Sequence, residues 1–187
     1  GPGRGTLSAD ILRTISSWPE FKAAMTVHLI ETSPMLRQKQ FEALKAWRPT
    51  WYDTFDETPV GVSFIIANEF FDALPVHQLE KSNGSWMERK IDYHPGRNEF
   101  FTSLSPLTFD VASLMPPDFL SAPDGSVFEV SPASLALLSK INARIGEFGG
   151  AGLIIDYGHV QPGLGDTLQA VLKHAYSTVL EDPGEKD

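Results

Sequence analysis

Short apolar runs, each stopped by a polar residue, alternate along this chain with segments whose apolar residues recur every three or four positions. Val27-His28-Leu29-Ile30 ends in Glu31, Phe64-Ile65-Ile66-Ala67 ends in Asn68-Glu69, and Leu153-Ile154-Ile155 ends in Asp156-Tyr157. Runs of this kind read as strands buried on both faces. Trp51-Tyr52, ahead of Asp53, is a shorter candidate. Leu7, Ile11, Leu12 and Ile15 share one helical face, with Trp18 near the end. Leu36, Phe41, Leu44 and Trp47 carry a second helix, with Ser33 as N-cap and Pro34 in the first turn, stopping before Pro49. Leu135, Leu138, Ile141 and Ile145 carry a third, ended by Gly149-Gly150. Asp166-Thr167 is placed to cap a fourth, running through Leu172. Strands alternating with helices predict an α/β fold with a mostly parallel, doubly wound sheet.

The pattern changes between Val76 and Tyr93. Two polar-apolar segments flank Ser82-Asn83-Gly84-Ser85, and Asn-Gly is a strong hairpin signal. Glu99 to Thr102 adds a third antiparallel candidate. Residues 103–125, rich in Pro, Ser and Asp, read as a long loop with a short helix, and Val127–Val130 as another short strand. The expected organisation is a first half of the α/β domain over 1–75, an inserted hairpin and loop over 76–125, and a second half over 126–187.

Ligands of open α/β sheets bind beyond the carboxyl ends of the strands, which is where the polar residues of this chain gather. Gly1-Pro2-Gly3-Arg4-Gly5-Thr6 opens the first helix. A glycine-rich turn lets the backbone approach a ligand, and the helix N-terminus supplies free N–H groups. Such a turn is normally fed by a strand, so the pattern predicts natural sequence before Gly1, and the polar tail Glu181–Asp187 suggests more after it. Glu31 stands where a carboxylate accepts both ribose hydroxyls of a nucleotide-like ligand; it would equally suit a cap for the next helix. Asp53 suits an adenine amino group or an ordinary turn. Asn68 and Glu69, squeezed between an apolar run and Phe70-Phe71, must be exposed or paired. The glycine stretch itself also reads as a flexible terminus.

Composition narrows the classes. The chain has 187 residues, 42% hydrophobic, with a net charge of −9 and no cysteine. Disulfides, thiolate catalysis and cysteine-rich metal sites are excluded. The acidic balance argues against a nucleic-acid partner, which needs a basic face; it suits a cationic one, or serves solubility alone. No apolar run approaches a membrane span. His28, His77 and His174 read as structural residues, no His/Asp/Glu spacing resembles a metal site, and no Gly-x-Ser-x-Gly elbow is present.

The glycine stretch, Val27–Gln40 (VHLIETSPMLRQKQ), Ala67–Gln78 (ANEFFDALPVHQ) and Ile154–His159 (IIDYGH) together resemble the MidA family of class I S-adenosylmethionine-dependent methyltransferases, over nearly the whole chain. The resemblance implies a Rossmann-like, seven-stranded doubly wound sheet with an inserted substrate-side region, its first strand missing from this chain. It implies S-adenosylmethionine as cofactor, with Gly1, Gly3 and Gly5 against its methionine portion and Glu31 on the ribose. Asp53 and Phe55 would meet the adenine, Thr6 and Ser33 complete the cofactor set, and Asn68 sits near the methyl group. Glu69, then Asp72, with Asn68, would act on the acceptor. The acceptor implied is arginine in a protein, a respiratory complex I subunit, recognised by the hairpin at 76–93 and the loop at 103–125. The implied location is the bacterial cytoplasm or, alternatively, the mitochondrial matrix. A non-catalytic assembly factor, a small-molecule methyltransferase and a dinucleotide oxidoreductase stay open as alternatives. Gly-x-Gly-x-Gly in place of Gly-x-Gly-x-x-Gly counts mildly against the last.

Overall fold

A computed structural model describes residues 1–108, 110, 113–172, 175–177 and 179–180. His174 and the segment 181–187 lie outside the described residues. The chain divides into two compact units, one formed by 1–74 with 134–157, the other by 75–133 with 158–187.

The first unit holds α1 (Thr6–Ile15), α2 (Pro19–Ala24), β1 (His28–Ile30), α3 (Pro34–Leu44), β2 (Thr50–Tyr52), β3 (Ser63–Asn68), most of α4 (Pro132–Phe148) and β8 (Gly150–Ile155). β1 pairs in parallel with β2, and β3 in parallel with β8. Among the described residues no strand joins the two pairs, so the parallel sheet stands as two ladders and not as one continuous sheet. Leu12, Leu29 and Leu44 form a buried cluster, extended by Ala9, Met25, Val27, Trp47 and Trp51. These residues come from α1, β1, α3 and the segments around them, but the expected helix faces are only partly covered: Leu7 of α1 and Phe41 of α3 are exposed, and α3 buries Gln40 beside Leu44. Ser33 caps α3 by accepting the Leu36 N–H at 3.3 Å.

The expectation that β3 is buried on both faces does not hold. Phe64 is 70% and Ile66 45% exposed, and Leu153, Ile154 and Ile155 of β8 are exposed as well. One face of this pair meets α4: a Cβ on Gly152 would touch Ile145 and Ile141. On β3, Phe21 of α2 reaches the ring of Phe64 with centroids 6.3 Å apart. An apolar run reports hydrophobicity on both faces; whether both are covered depends on what packs there.

The second unit is a four-stranded antiparallel sheet in the order β6-β5-β4-β7. Its strands are β4 (His77–Ser82), β5 (Ser85–His94), β6 (Glu99–Pro106) and β7 (Val127–Val130). Asn83 (φ 50°) and Gly84 (φ 74°) make the tight turn between β4 and β5, as the hairpin signal requires. β6 continues to Pro106, so the first residues assigned to the long loop belong to the sheet. β7, grouped by the sequence with the second half of the α/β domain, pairs instead with β4. Leu79, Trp86, Met115, Phe128 and Val130 form the core of this unit. The helix expected after Asp166 is absent: residues 166–169 are irregular, and β9 (Ala170–Leu172) pairs antiparallel with β10 (Ala175–Ser177). Asp166 is bound to the sheet, with Oδ1 accepting from Gln78 Nε2 and Oδ2 from Arg89 NH1. These bonds tie Asp166 to the sheet, and the chain after it runs into a strand and not a helix.

Candidate functional site

The glycine turn takes its shape from backbone freedom. Gly3 has φ 55° and Gly5 φ 83°, the left-handed region where a Cβ is disfavoured. The N–H of Gly5 returns to the carbonyl of Pro2 at 2.9 Å. Gly5 is the N-cap of α1, with no side-chain hydrogen bond capping the helix, so the first-turn N–H groups point into the turn. Thr6 is the first helical residue.

Glu31 leaves β1 at its carboxyl end and folds beside this turn. A Cβ added to Gly1 would lie 2.7 Å from Glu31 Oε2, so glycine lets the two approach. Glu31 is buried, and both oxygens are held: Oε1 accepts the Ser33 N–H at 2.9 Å and Oε2 the Gln40 side-chain amide at 3.1 Å. Each carboxylate oxygen accepts two hydrogen bonds, so one acceptor site remains on each. That is the capacity a vicinal diol needs. Ser33 therefore serves α3 with its hydroxyl and Glu31 with its backbone.

Gln40 also donates to the Gly3 carbonyl at 2.7 Å and accepts from Trp51 Nε1 at 2.8 Å. It lies on a helix whose pattern is carried by its apolar residues, so nothing in the sequence marks it strongly. The one available signal is a polar residue four positions before Leu44, on the same helical face.

Asp53, beyond β2, is exposed. Its Oδ1 accepts from Arg37 NH2 at 2.6 Å, and the Nε of the same arginine donates to the Glu31 carbonyl at 2.6 Å. Arg37 thus ties the two strand ends together. Phe55 begins a 3-10 turn, and the Arg144 guanidinium of α4 stacks 3.9 Å from its ring centroid. The guanidinium therefore occupies one face of this half-buried ring.

Asn68, Glu69 and Asp72 sit at the end of the other parallel pair. Glu69 has φ 45°, a conformation that needs support from its surroundings in a residue with a long side chain. Support comes from β8. The Glu69 N–H donates to the Ile155 carbonyl at 2.8 Å. Asp156 Oδ2 accepts the N–H groups of Phe70, Phe71 and Asp72 at 3.2, 2.8 and 3.2 Å. The turn is wound around one carboxylate, and the side chains of Asn68, Glu69 and Asp72 are exposed. Phe70 and Phe71, half-buried, meet edge to face with centroids 5.4 Å apart. The sequence marked Asp156 as a strand-end residue without giving it this role.

The whole chain, residues 1–187, matches the profile of a family described as putative S-adenosyl-L-methionine-dependent methyltransferases. The chain belongs to this methyltransferase family. Among curated proteins it is 35% identical over its full length to the mitochondrial protein arginine methyltransferase NDUFAF7 of Xenopus tropicalis, covering 48% of that protein. The human protein of that name is 32% identical, again over the full chain and 47% of its own length. The chain thus spans about half the length of these relatives. Among solved structures it resembles a COG1565 superfamily member from Burkholderia thailandensis, crystallised with S-adenosyl-homocysteine, with a TM-score of 0.76 and 23% identity. That likeness covers the whole chain and 50% of the neighbour, and the shared α/β class I methyltransferase fold follows from it.

Proposed function

We propose that this methyltransferase-family chain forms the cofactor-binding part of an S-adenosylmethionine-dependent protein arginine methyltransferase. The observation that carries the reading is the cradle of Gly1, Gly3, Gly5 and Glu31. Gly3 and Gly5 take the left-handed φ that favours glycine, a side chain on Gly1 would meet Glu31, the helix start has no side-chain cap, and a buried carboxylate keeps one acceptor site on each oxygen. These features fit a ligand that carries a ribose diol and a charged amino-acid portion.

In this reading Gly1, Gly3 and Gly5, with the N–H groups around Thr6, hold the methionine portion. Glu31, steadied by Ser33, holds the ribose. Asp53 and Phe55 hold the adenine. S-adenosylmethionine supplies an electrophilic methyl group when bound. What the chain adds is alignment, because transfer of such a group is limited by the positions of donor and acceptor. Asn68 lies near the reacting end. Glu69 orients the acceptor guanidinium and localises its charge on the remote nitrogens, with Asp72 in support. A fully charged, delocalised guanidinium is a poor nucleophile, and a carboxylate set against its remote nitrogens leaves more electron density on the attacking one, whose proton passes to solvent. Residues 76–125 recognise the acceptor, an arginine-bearing protein that we identify with a respiratory complex I subunit. The relatives named as mitochondrial and the bacterial structural neighbour support action in the mitochondrial matrix or the bacterial cytoplasm, wherever such a subunit is handled.

The test is calorimetric titration of the full chain with S-adenosylmethionine and with NADH, alongside Glu31→Ala. Micromolar binding of the sulfonium compound alone, lost in the variant, is the expected result. Binding of NADH, or of neither compound, overturns the proposal.

A further inference from the structure

Gln40 is completely buried, at 0% exposure, in the first unit. A primary amide in that position is costly unless its donors and acceptor are met, and here three bonds meet them. The indole N–H of Trp51 can only donate, so its 2.8 Å contact fixes which end of the amide is the oxygen. The amino end must then face two acceptors, the Gly3 carbonyl at 2.7 Å and Glu31 Oε2 at 3.1 Å. The backbone closes on the same point: a Cβ on Gly5 would lie 3.4 Å from the Gln40 Cα. One rigid amide therefore connects the glycine turn, the β1 carboxylate and β2.

We propose that Gln40 is a positioning residue that sets Glu31 and the glycine turn in one register, and through them the preference for a ligand with an intact ribose. The inference rests on the cofactor reading above. Gln40 itself touches no ligand in this scheme. It supplies Glu31 Oε2 with its protein donor, so that the remaining acceptor site points in one direction. It also holds the Gly3 carbonyl toward α3 and away from the ligand side of the turn. A hydrocarbon side chain of the same length would fill the same space and do neither.

The experiment is calorimetric titration of the full chain with S-adenosylhomocysteine and with its 2′-deoxy analogue. The unaltered protein should bind the ribose compound more tightly. Gln40→Met, shown to be folded by circular dichroism, should bind it roughly tenfold more weakly, one buried hydrogen bond's worth, and lose most of the preference over the deoxy analogue. Trp51→Phe, which frees the amide to turn over, should lower the same preference by a smaller factor, and it decides the matter if Gln40→Met does not fold. Equal weakening of both compounds, or affinities unchanged from the parent, overturns the role of Gln40 while leaving the cofactor reading in place. Failure of the unaltered protein to bind either compound removes the cofactor reading and this inference with it.

Discussion

Asp156 Oδ2 accepts the backbone N–H of Phe71 at 2.8 Å, across 85 residues of sequence. The same oxygen accepts from Phe70 and Asp72, and Oδ1 accepts from Tyr157, the next residue, at 2.8 Å. A turn that would otherwise present three loose donors is gathered onto a single charge. The strand register explains how: Asn68 is opposite Ile155, so the residue after β8 comes level with the turn after β3.

Asp156→Ala should therefore act on turnover more than on binding. Displacing Glu69 by about an ångström costs on the order of a hundredfold in rate, while affinity for S-adenosylhomocysteine stays within a small factor. Asp156→Asn should fall between the two, because its oxygen still accepts although its amino group cannot. Steady-state methyl transfer to an arginine peptide, set beside calorimetry, separates the two effects. A variant that loses affinity and turnover together would show that the turn belongs to the binding site.

Glu31→Gln removes a charge with little change of shape. Ser33 N–H and the Gln40 amide both donate to Glu31, so either orientation of the new amide sets its NH2 against a donor. Leaving a buried group mispaired costs about 1–3 kcal/mol, which should appear as a lower melting temperature. Affinity for S-adenosylhomocysteine should fall at least about tenfold from the loss of a charge-assisted bond to the diol. A variant as stable and as tightly binding as the parent would remove Glu31 from the site.

These two carboxylates also show how far the sequence was legible. Glu31 and Asp156 stand out because each ends an apolar run, and strand ends are where α/β sheets place chemistry. Asn83-Gly84 and Gly149 were readable because their conformations admit few other residues. Gln40 was hidden: the three partners that make a buried amide acceptable lie off its helix, on the glycine turn, the end of β1 and β2, and none of them is visible from the helix that carries it. The stretch after Asp166 failed for a related reason. A capping residue is recognised by type alone, and Gln78 and Arg89, which hold this one, come from strands far back in the chain. The apolar runs of β3 and β8 gave the right strands and the wrong burial, since periodicity does not report what covers a face.

Gly150 is the sharpest steric test of the β3–β8 pair. A Cβ there would lie 2.0 Å from the Ser63 carbonyl oxygen, and φ is 121°. Both obstacles are backbone, so no side chain can yield. Gly150→Ala should cost more than about 4 kcal/mol, the range of severe core lesions, and leave little folded protein. Gly125→Ala provides the comparison. It has φ 87° and nothing within 4 Å, so only the left-handed strain of about 1–2 kcal/mol applies. Thermal melts of the two variants should differ widely; similar melts would mean that the strands are not in this register.

Acid stability of the antiparallel unit depends on a buried carboxylate in its sheet. Glu88 is 3% exposed, with His77 Nδ1 2.5 Å from Oε1 and Lys90 Nζ 2.6 Å from Oε2. Burial by itself raises the pKa of such a carboxyl, but the hydrogen bonds and charges of Lys90 and His77 prevail and hold it below the usual glutamate range. The unfolded chain therefore takes up this proton at a higher pH than the folded one. The stabilisation is fully present above the ordinary glutamate pKa and is lost as pH falls through the lowered folded value. Asp166 follows the same sign: burial raises its pKa, yet Arg89 and Gln78 hold it low. Glu88→Gln should thus be less stable than the parent at neutral pH, by about 1–3 kcal/mol for a buried charged pair left incomplete. The gap should narrow steadily below about pH 4.3, the unperturbed glutamate value. Asp166 keeps both proteins acid-sensitive, so the narrowing and not the absolute stability carries the result. Urea melts of parent and variant from neutral to strongly acidic pH measure it, and a gap that stays constant throughout would show that the Glu88 charge contributes nothing to folding.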